Sequence, residues 1–74
     1  MRERLANRLK DERARLNLTQ AGLAARIGVS RKTINTVENR VFVPSTILAL
    51  RLAAALDRPV EQLFWIEHER AQSN

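Results

Sequence analysis

Residues 19–40, TQAGLAARIGVSRKTINTVENR, read as two short helices joined by a tight turn, and the rest of the chain is arranged around them. Thr19 offers a hydroxyl to cap the first helix, and Leu23, Ala24 and Ile27 recur at helical spacing to form one apolar stripe. Gly28 supplies the left-handed residue that lets the chain reverse. Ser30 caps the second helix, expected to run to about Asn39 with Ile34 and Val37 facing inward. Its other face carries Arg31, Lys32, Thr33, Asn35, Thr36 and Asn39, all able to hydrogen-bond and none acidic. Such a face suits a polyanion. Caps, a stripe and a glycine are also what any helical hairpin needs, so a purely structural reading stays open at this point.

Working outward, size and composition bound the alternatives. The 74 residues are read as one domain, 1–74, small enough for a partner subunit to help cover its core. With no cysteine there is neither a disulfide framework nor a thiolate metal site, and the single histidine, His68, has no companion for a metal cluster. No metal and no cofactor are expected. No apolar run approaches the ~20 residues of a membrane span, and the Arg-rich amino end lacks the apolar core of a signal peptide. A cytoplasmic location without membrane contact is the expectation.

The net charge of +5 is unevenly spread. Residues 1–40 hold ten Lys or Arg against four acids, whereas residues 41–74 hold three against four. The whole excess therefore lies with the helical hairpin and the segment before it. Neutralising phosphates with Lys and Arg releases counterions and supplies most sequence-independent affinity for nucleic acid, so this asymmetry has the form of a nucleic-acid footprint. A solvated basic surface is the competing reading.

Glu3 to Leu16 is expected to be a helix with Leu5, Leu9 and Leu16 on one face, interrupted there by Glu12 and Arg13. An arginine in an apolar stripe either snorkels its charge outward or is buried against a carboxylate. Asn17 fits a left-handed cap, and Leu18 is expected to drop between helices. Gly22 forgoes the Glu that would complete a capping box with Thr19, and points to a close helix approach. Val41 to Pro44 must be a loop, because Pro44 disfavours helix at Val43, and Ser45 caps a fourth helix over Thr46 to Leu56. That helix is apolar over a wide arc: Leu48, Leu52 and Leu56 form the core stripe, while Ile47, Leu50 and Ala54 form an adjoining one that lies inside the core or meets a second subunit. A short fifth helix over Pro59 to Leu63 or Phe64 leads into Phe64-Trp65-Ile66, a run too apolar for an ordinary tail, which folds back on the core or forms a dimer contact. A tail from about residue 65 to 74 is expected, frayed over Arg70 to Asn74.

Taken together, NRLKDER (7–13), LTQAGLAARIGVSRKTINTVEN (18–39), VPS (43–45) and LALRLAAALDRPVEQLF (48–64) resemble the Cro/CI-type, Xre-like helix-turn-helix regulators of bacteria and phages over nearly the whole chain. The resemblance implies an all-α, compact five-helix domain of lambda-repressor-like type, with a possible short extended C-terminal segment, whose third helix enters the major groove of DNA. Residue by residue, it implies base contacts from Arg31, Lys32, Thr33 and Thr36, and phosphate contacts from Gln20, Ser30, Asn39 and Arg40. The family often has glutamine at the start of this helix. Arginine and lysine favour guanine, so a guanine is expected in each half-site, with a pure phosphate grip by one of the two as the rival. It further implies that Arg13 and Glu38 form a partly buried ion pair tying the first helix to the third. Arg40 stands where the family frequently has glycine.

The expected function is that of a sequence-specific regulator of transcription, by default a repressor, binding double-stranded DNA at a pseudo-palindromic operator as a homodimer. The surplus apolar side chains Ile47, Leu50, Ala54, Phe64, Trp65 and Ile66 are the expected dimer interface. An antitoxin with a toxin partner and a restriction–modification controller use the same fold and stay open, as does a protein-interaction module. No catalytic set and no small-molecule effector site are recognisable, so an enzyme is not expected.

Overall fold

The computed structural model describes residues 2–69. The elements run β1 (Arg2–Asn7), α1 (Leu9–Arg15), α2 (Gln20–Ile27), α3 (Arg31–Glu38), α4 (Thr46–Leu56), α5 (Val60–Leu63) and β2 (Phe64–Glu69). Five helices are present among the described residues, but the domain is not all-α, because β1 and β2 pair as a small antiparallel sheet. The expected helix from Glu3 is therefore corrected: its first part is strand, and the helix begins at Leu9. Arg, Glu, Leu and Ala favour helix locally, so non-local pairing overrides propensity here. Arg4 lies opposite Glu67, Leu5 opposite Ile66 and Ala6 opposite Trp65, which matches charge to charge and apolar to apolar across the ladder. Asn7 marks the switch, its Oδ1 accepting the Leu9 N–H at 3.1 Å in the turn that leads through Arg8 into the helix. The expected tail from residue 65 is likewise strand as far as Glu69, and the frayed end expected at Arg70 to Asn74 lies outside the described residues.

The helix starts follow from their caps. Thr19 Oγ1 accepts from the Gly22 N–H at 2.9 Å, Ser30 Oγ from Thr33 at 3.1 Å and Ser45 Oγ from Leu48 at 3.1 Å, each satisfying a donor that the first turn leaves free. The ends of α1 to α4 share one device, a left-handed residue at Asn17, Gly28, Arg40 and Asp57. Beyond each, the next N–H reaches back to close the last turn, as when Val41 donates to the Thr36 carbonyl at 2.9 Å. Gly22 is not a point of close helix approach: a Cβ there would meet Thr19 Oγ1 at 3.2 Å and Leu18 Cδ2 at 3.6 Å, so its surroundings are its own helix start.

These helices enclose one core. Leu9, Leu23, Ile34, Leu52, Leu56 and Leu63 are wholly buried, with Phe64 beside them at 8% exposure. α2 packs against α3 and α4, and α4 against α5, which leaves the outer face of α3 uncovered.

Candidate nucleic-acid interface

The position of α3 is set by a partly buried charged clamp at its last turn. Arg13 on α1 donates Nε to Glu38 Oε2 at 2.6 Å and Nη2 to Oε1 at 3.0 Å, a two-pronged pair with side-chain exposures of 13% and 6%. The third guanidinium nitrogen, Nη1, donates to the Leu18 carbonyl at 2.9 Å, in the turn that connects α1 to α2. Gln20, first residue of α2, adds Nε2 to Glu38 Oε1 at 3.1 Å. One carboxylate thus gathers α1, α2 and α3, and its hydrogen bonds hold the Arg13 guanidinium above its ordinary pKa.

At the other end of α3, Arg31, Lys32 and Asn35 project into solvent and, with Gln20, line a shallow groove of about 370 Å³. The charged ends of Arg31 and Lys32 have no partner among the described residues, as a surface that awaits an anion requires. Thr33 and Thr36 differ from them. The Thr33 hydroxyl shares a hydrogen bond of 2.9 Å with Ser30 Oγ, and the Thr36 hydroxyl is bound to the Lys32 and Thr33 carbonyls, both at 3.0 Å. Both are half-buried and engaged in their own helix. Asn39 caps α3 and donates Nδ2 to Asn35 Oδ1 at 3.3 Å.

Arg40 adopts φ 61°, so the turn that glycine often serves is made here by an arginine. Its Nη1 donates to Glu67 Oε1 on β2 at 3.0 Å, in an exposed ion pair. From β1, Asn7 Nδ2 donates to the Val37 carbonyl at 3.0 Å. The terminal sheet therefore holds the C-terminal end of α3 at two points, and Asn7 and Glu67 are functional neighbours that sequence reasoning missed. Asn7 carried a signal, since an asparagine inside an apparent helix is a cap out of place. Glu67 carried none.

The positive excess is only partly available. Arg8 stacks over the Trp65 ring at 5.0 Å, Arg13 serves Glu38, and Arg15 binds Glu12 at 2.7 Å and the Leu56 carbonyl at 2.7 Å. Among the expected dimer residues, Phe64 is corrected: it belongs to the domain's own core, because its inward side of β2 packs under the cluster around Leu63. Trp65 is half-buried under Arg8, whereas Ile66 is 57% exposed. Ile47 and Leu50 are 66% and 54% exposed, Ala54 is exposed on the same face of α4, and Val41, Phe42 and Val43 are exposed in the preceding loop.

Comparison with known proteins places this geometry. The sequence signature of the helix-turn-helix family matches residues 9–63. An uncharacterised HTH-type transcriptional regulator of Bacillus subtilis, YgzD, is 37% identical over 65 residues, 88% of this chain and 98% of its own. Another uncharacterised HTH-type transcriptional regulator, from Methanothermobacter thermautotrophicus, is 42% identical over 65 residues, 86% of this chain and 94% of its own. Among solved structures, the restriction-modification controller protein C.AhdI from Aeromonas hydrophila superposes with a TM-score of 0.71 at 34% identity, over 76% of this chain and 81% of that one.

Proposed function

The chain belongs to the helix-turn-helix family of DNA-binding transcriptional regulators, not to a family of enzymes, and from that premise we propose that it represses transcription by occupying a pseudo-palindromic operator as a symmetric dimer. The observation that carries the reading is the free Arg31–Lys32 pair on the first turn of a helix whose last turn is clamped by Arg13, Glu38 and Gln20. A helix that enters the major groove must hold its base-reading side chains rigidly relative to the phosphates that set register, and this clamp does so from two flanking helices.

Arg31, with a forked guanidinium, and Lys32, with an ammonium, address guanine O6 and N7, at ~1–3 kcal/mol of discrimination for a bidentate contact. Thr33 and Thr36 offer methyl groups and the hydroxyl lone pairs that their intrahelical bonds leave unused. Gln20 at the start of α2 and Ser30 at the start of α3 serve the DNA backbone, where free N–H groups at helix starts favour phosphate; Asn39, at the end of α3, offers only the remaining N–H of its side-chain amide. Arg40 joins them on exchanging Glu67 for a phosphate.

The dimer reading is supported by the exposed stripe Ile47, Leu50 and Ala54, with Ile66 as a further apolar point. Ile47 and Leu50 stand out from the first half of α4, while Ala54 lines an open depression with Ala25, Ile27 and Ala55, flanked by Arg26 and Arg51. Protrusion and depression on one helix are what a two-fold, self-matching contact uses. No helix among the described residues is long and apolar enough to cross a membrane, in keeping with a cytoplasmic site of action.

The likeness to C.AhdI favours a second reading, a controller of a restriction–modification operon, through the same site. Selection of bound duplexes from random DNA, followed by footprinting, tests both readings: a two-fold symmetric site with half-sites ~34 Å apart is expected. A protein that enriches no sequence even at low salt sinks them. Location of the enriched site beside a nuclease gene decides for the controller.

A further inference from the structure

The groove beside α3 contains, besides Arg31 and Lys32, an exposed amide whose N–H donors neither the core nor the helix caps use. Asn35 lies one turn along α3 from Arg31, is exposed, and shares the groove with Arg31, Lys32 and Gln20. Asparagine is among the poorer helix formers, and at this position it contributes nothing to the core. Its amide is nonetheless held: Asn39 Nδ2 donates to Asn35 Oδ1 at 3.3 Å from the next turn. That bond uses one of two lone pairs on Oδ1 and leaves both N–H donors of Nδ2 open to the groove.

We propose that Asn35 reads an adenine in each half-site, beside the guanine read by Arg31. The assignment rests on the operator-binding reading above and specifies it further. An outward amide with one acceptor lone pair and a free donor complements adenine, whose major-groove edge presents the N6 donor and the N7 acceptor. Guanine presents two acceptors there, which would set O6 against Oδ1, so the pairing discriminates. Four residues of α-helix advance about 6 Å, and successive base pairs rise about 3.4 Å, which places the adenine about two steps from the guanine along the groove. Thr36, on the same face, cannot replace it as a donor, because its hydroxyl proton is committed to backbone carbonyls of α3.

The test begins with an operator enriched by the wild-type protein from random duplex DNA, with affinities then measured by fluorescence anisotropy at fixed salt. Replacing one A·T pair about two steps from the critical guanine weakens wild-type binding by about ten- to a hundred-fold. Asn35→Ala binds the intact operator more weakly, no longer distinguishes bases at that position, and keeps its preference for guanine. Replacing the adenine with 7-deazaadenine, which lacks the N7 acceptor, weakens wild type and leaves Asn35→Ala unaffected. Because Asn35 is exposed and alanine is the better helix former, the variant melts no lower than wild type, which separates reading from folding. The assignment is overturned if Asn35→Ala weakens every duplex by the same factor, or retains wild-type discrimination at all positions. A wild-type protein that enriches no sequence overturns operator binding itself, and this assignment with it.

Discussion

At the scale of single residues, stability turns on Glu38. Its carboxylate is 6% exposed and meets two guanidinium nitrogens and one amide, so removal of Arg13 leaves a charge in a poorly solvated site with only Gln20 to answer it. Arg13→Ala is expected to cost about 3 kcal/mol in urea unfolding, at the lower end for buried pairs because the arginine is 13% exposed. Arg13→Met combined with Glu38→Leu is expected to recover most of that loss, since both charges then leave together. A single substitution as mild as the double one would show that the pair is not desolvated. Arg40 makes the opposite case. A non-glycine residue at φ 61° carries a strain of order 1 kcal/mol, while its exposed bond to Glu67 contributes little. In a Glu67→Gln background, where that ion pair is absent, Arg40→Gly should raise the unfolding free energy by about 1 kcal/mol. No gain there would mean the turn relaxes around the arginine without strain.

At the scale of elements, what could be read in advance was whatever is decided locally. Thr19, Ser30 and Ser45 announce helix starts because a side-chain oxygen satisfies an N–H three residues on, and all three make that bond. Gly28 and Asn17 announce ends for an equally local reason. The first strand could not be read this way: nothing in Arg2 to Asn7 prefers extended chain, and its partner, Phe64 to Glu69, lies at the far end of the sequence. The same limit hid Glu67 and placed Phe64 in a dimer contact instead of the core. The site fared differently. The outward placement of Arg31 and Lys32 was legible because a basic pair on a capped helix is a local pattern, whereas the engagement of the Thr33 and Thr36 hydroxyls depends on rotamers that spacing does not reveal.

Between elements, Glu12 links α1 to the end of α4, accepting from Arg15 at 2.7 Å and from Arg58 at 3.2 Å. The Arg15 hydrogen bond, followed by the charges of Arg15 and Arg58, outweighs desolvation and holds the Glu12 carboxyl below its ordinary 4.5. The folded chain thus favours the ionised form more than the unfolded chain does. The stability this contributes is complete above the unfolded pKa and is lost as pH falls through the lower folded one. In thermal melts, wild type should exceed Glu12→Gln by a constant margin near neutrality, and the two curves should converge below about pH 4.5. A margin unchanged at pH 3 would assign the effect of the substitution to packing.

At the scale of the whole molecule, the unresolved force is the apolar surface that the fold leaves outside. Ile47 and Leu50 are more than half exposed on a helix whose opposite face is core, and a chain of 8.5 kDa has little interior in which to hide them. In the proposed dimer this stripe is covered and the two copies of α3 take a fixed separation, so oligomer and operator geometry become two readouts of one contact. Leu50→Lys places a charge at the centre of the proposed interface without touching the core. In sedimentation at micromolar concentration, wild type should run at twice the 8.5 kDa chain mass and Leu50→Lys as the single chain. The variant should keep a cooperative melt and bind an isolated half-site as wild type does. Its loss should appear only on the full operator, where the second half-site no longer adds affinity through the linked partner. Equal losses on half-site and full site would instead place Leu50 at the DNA, and a single-chain mass for wild type would remove the stripe from any role in symmetric binding.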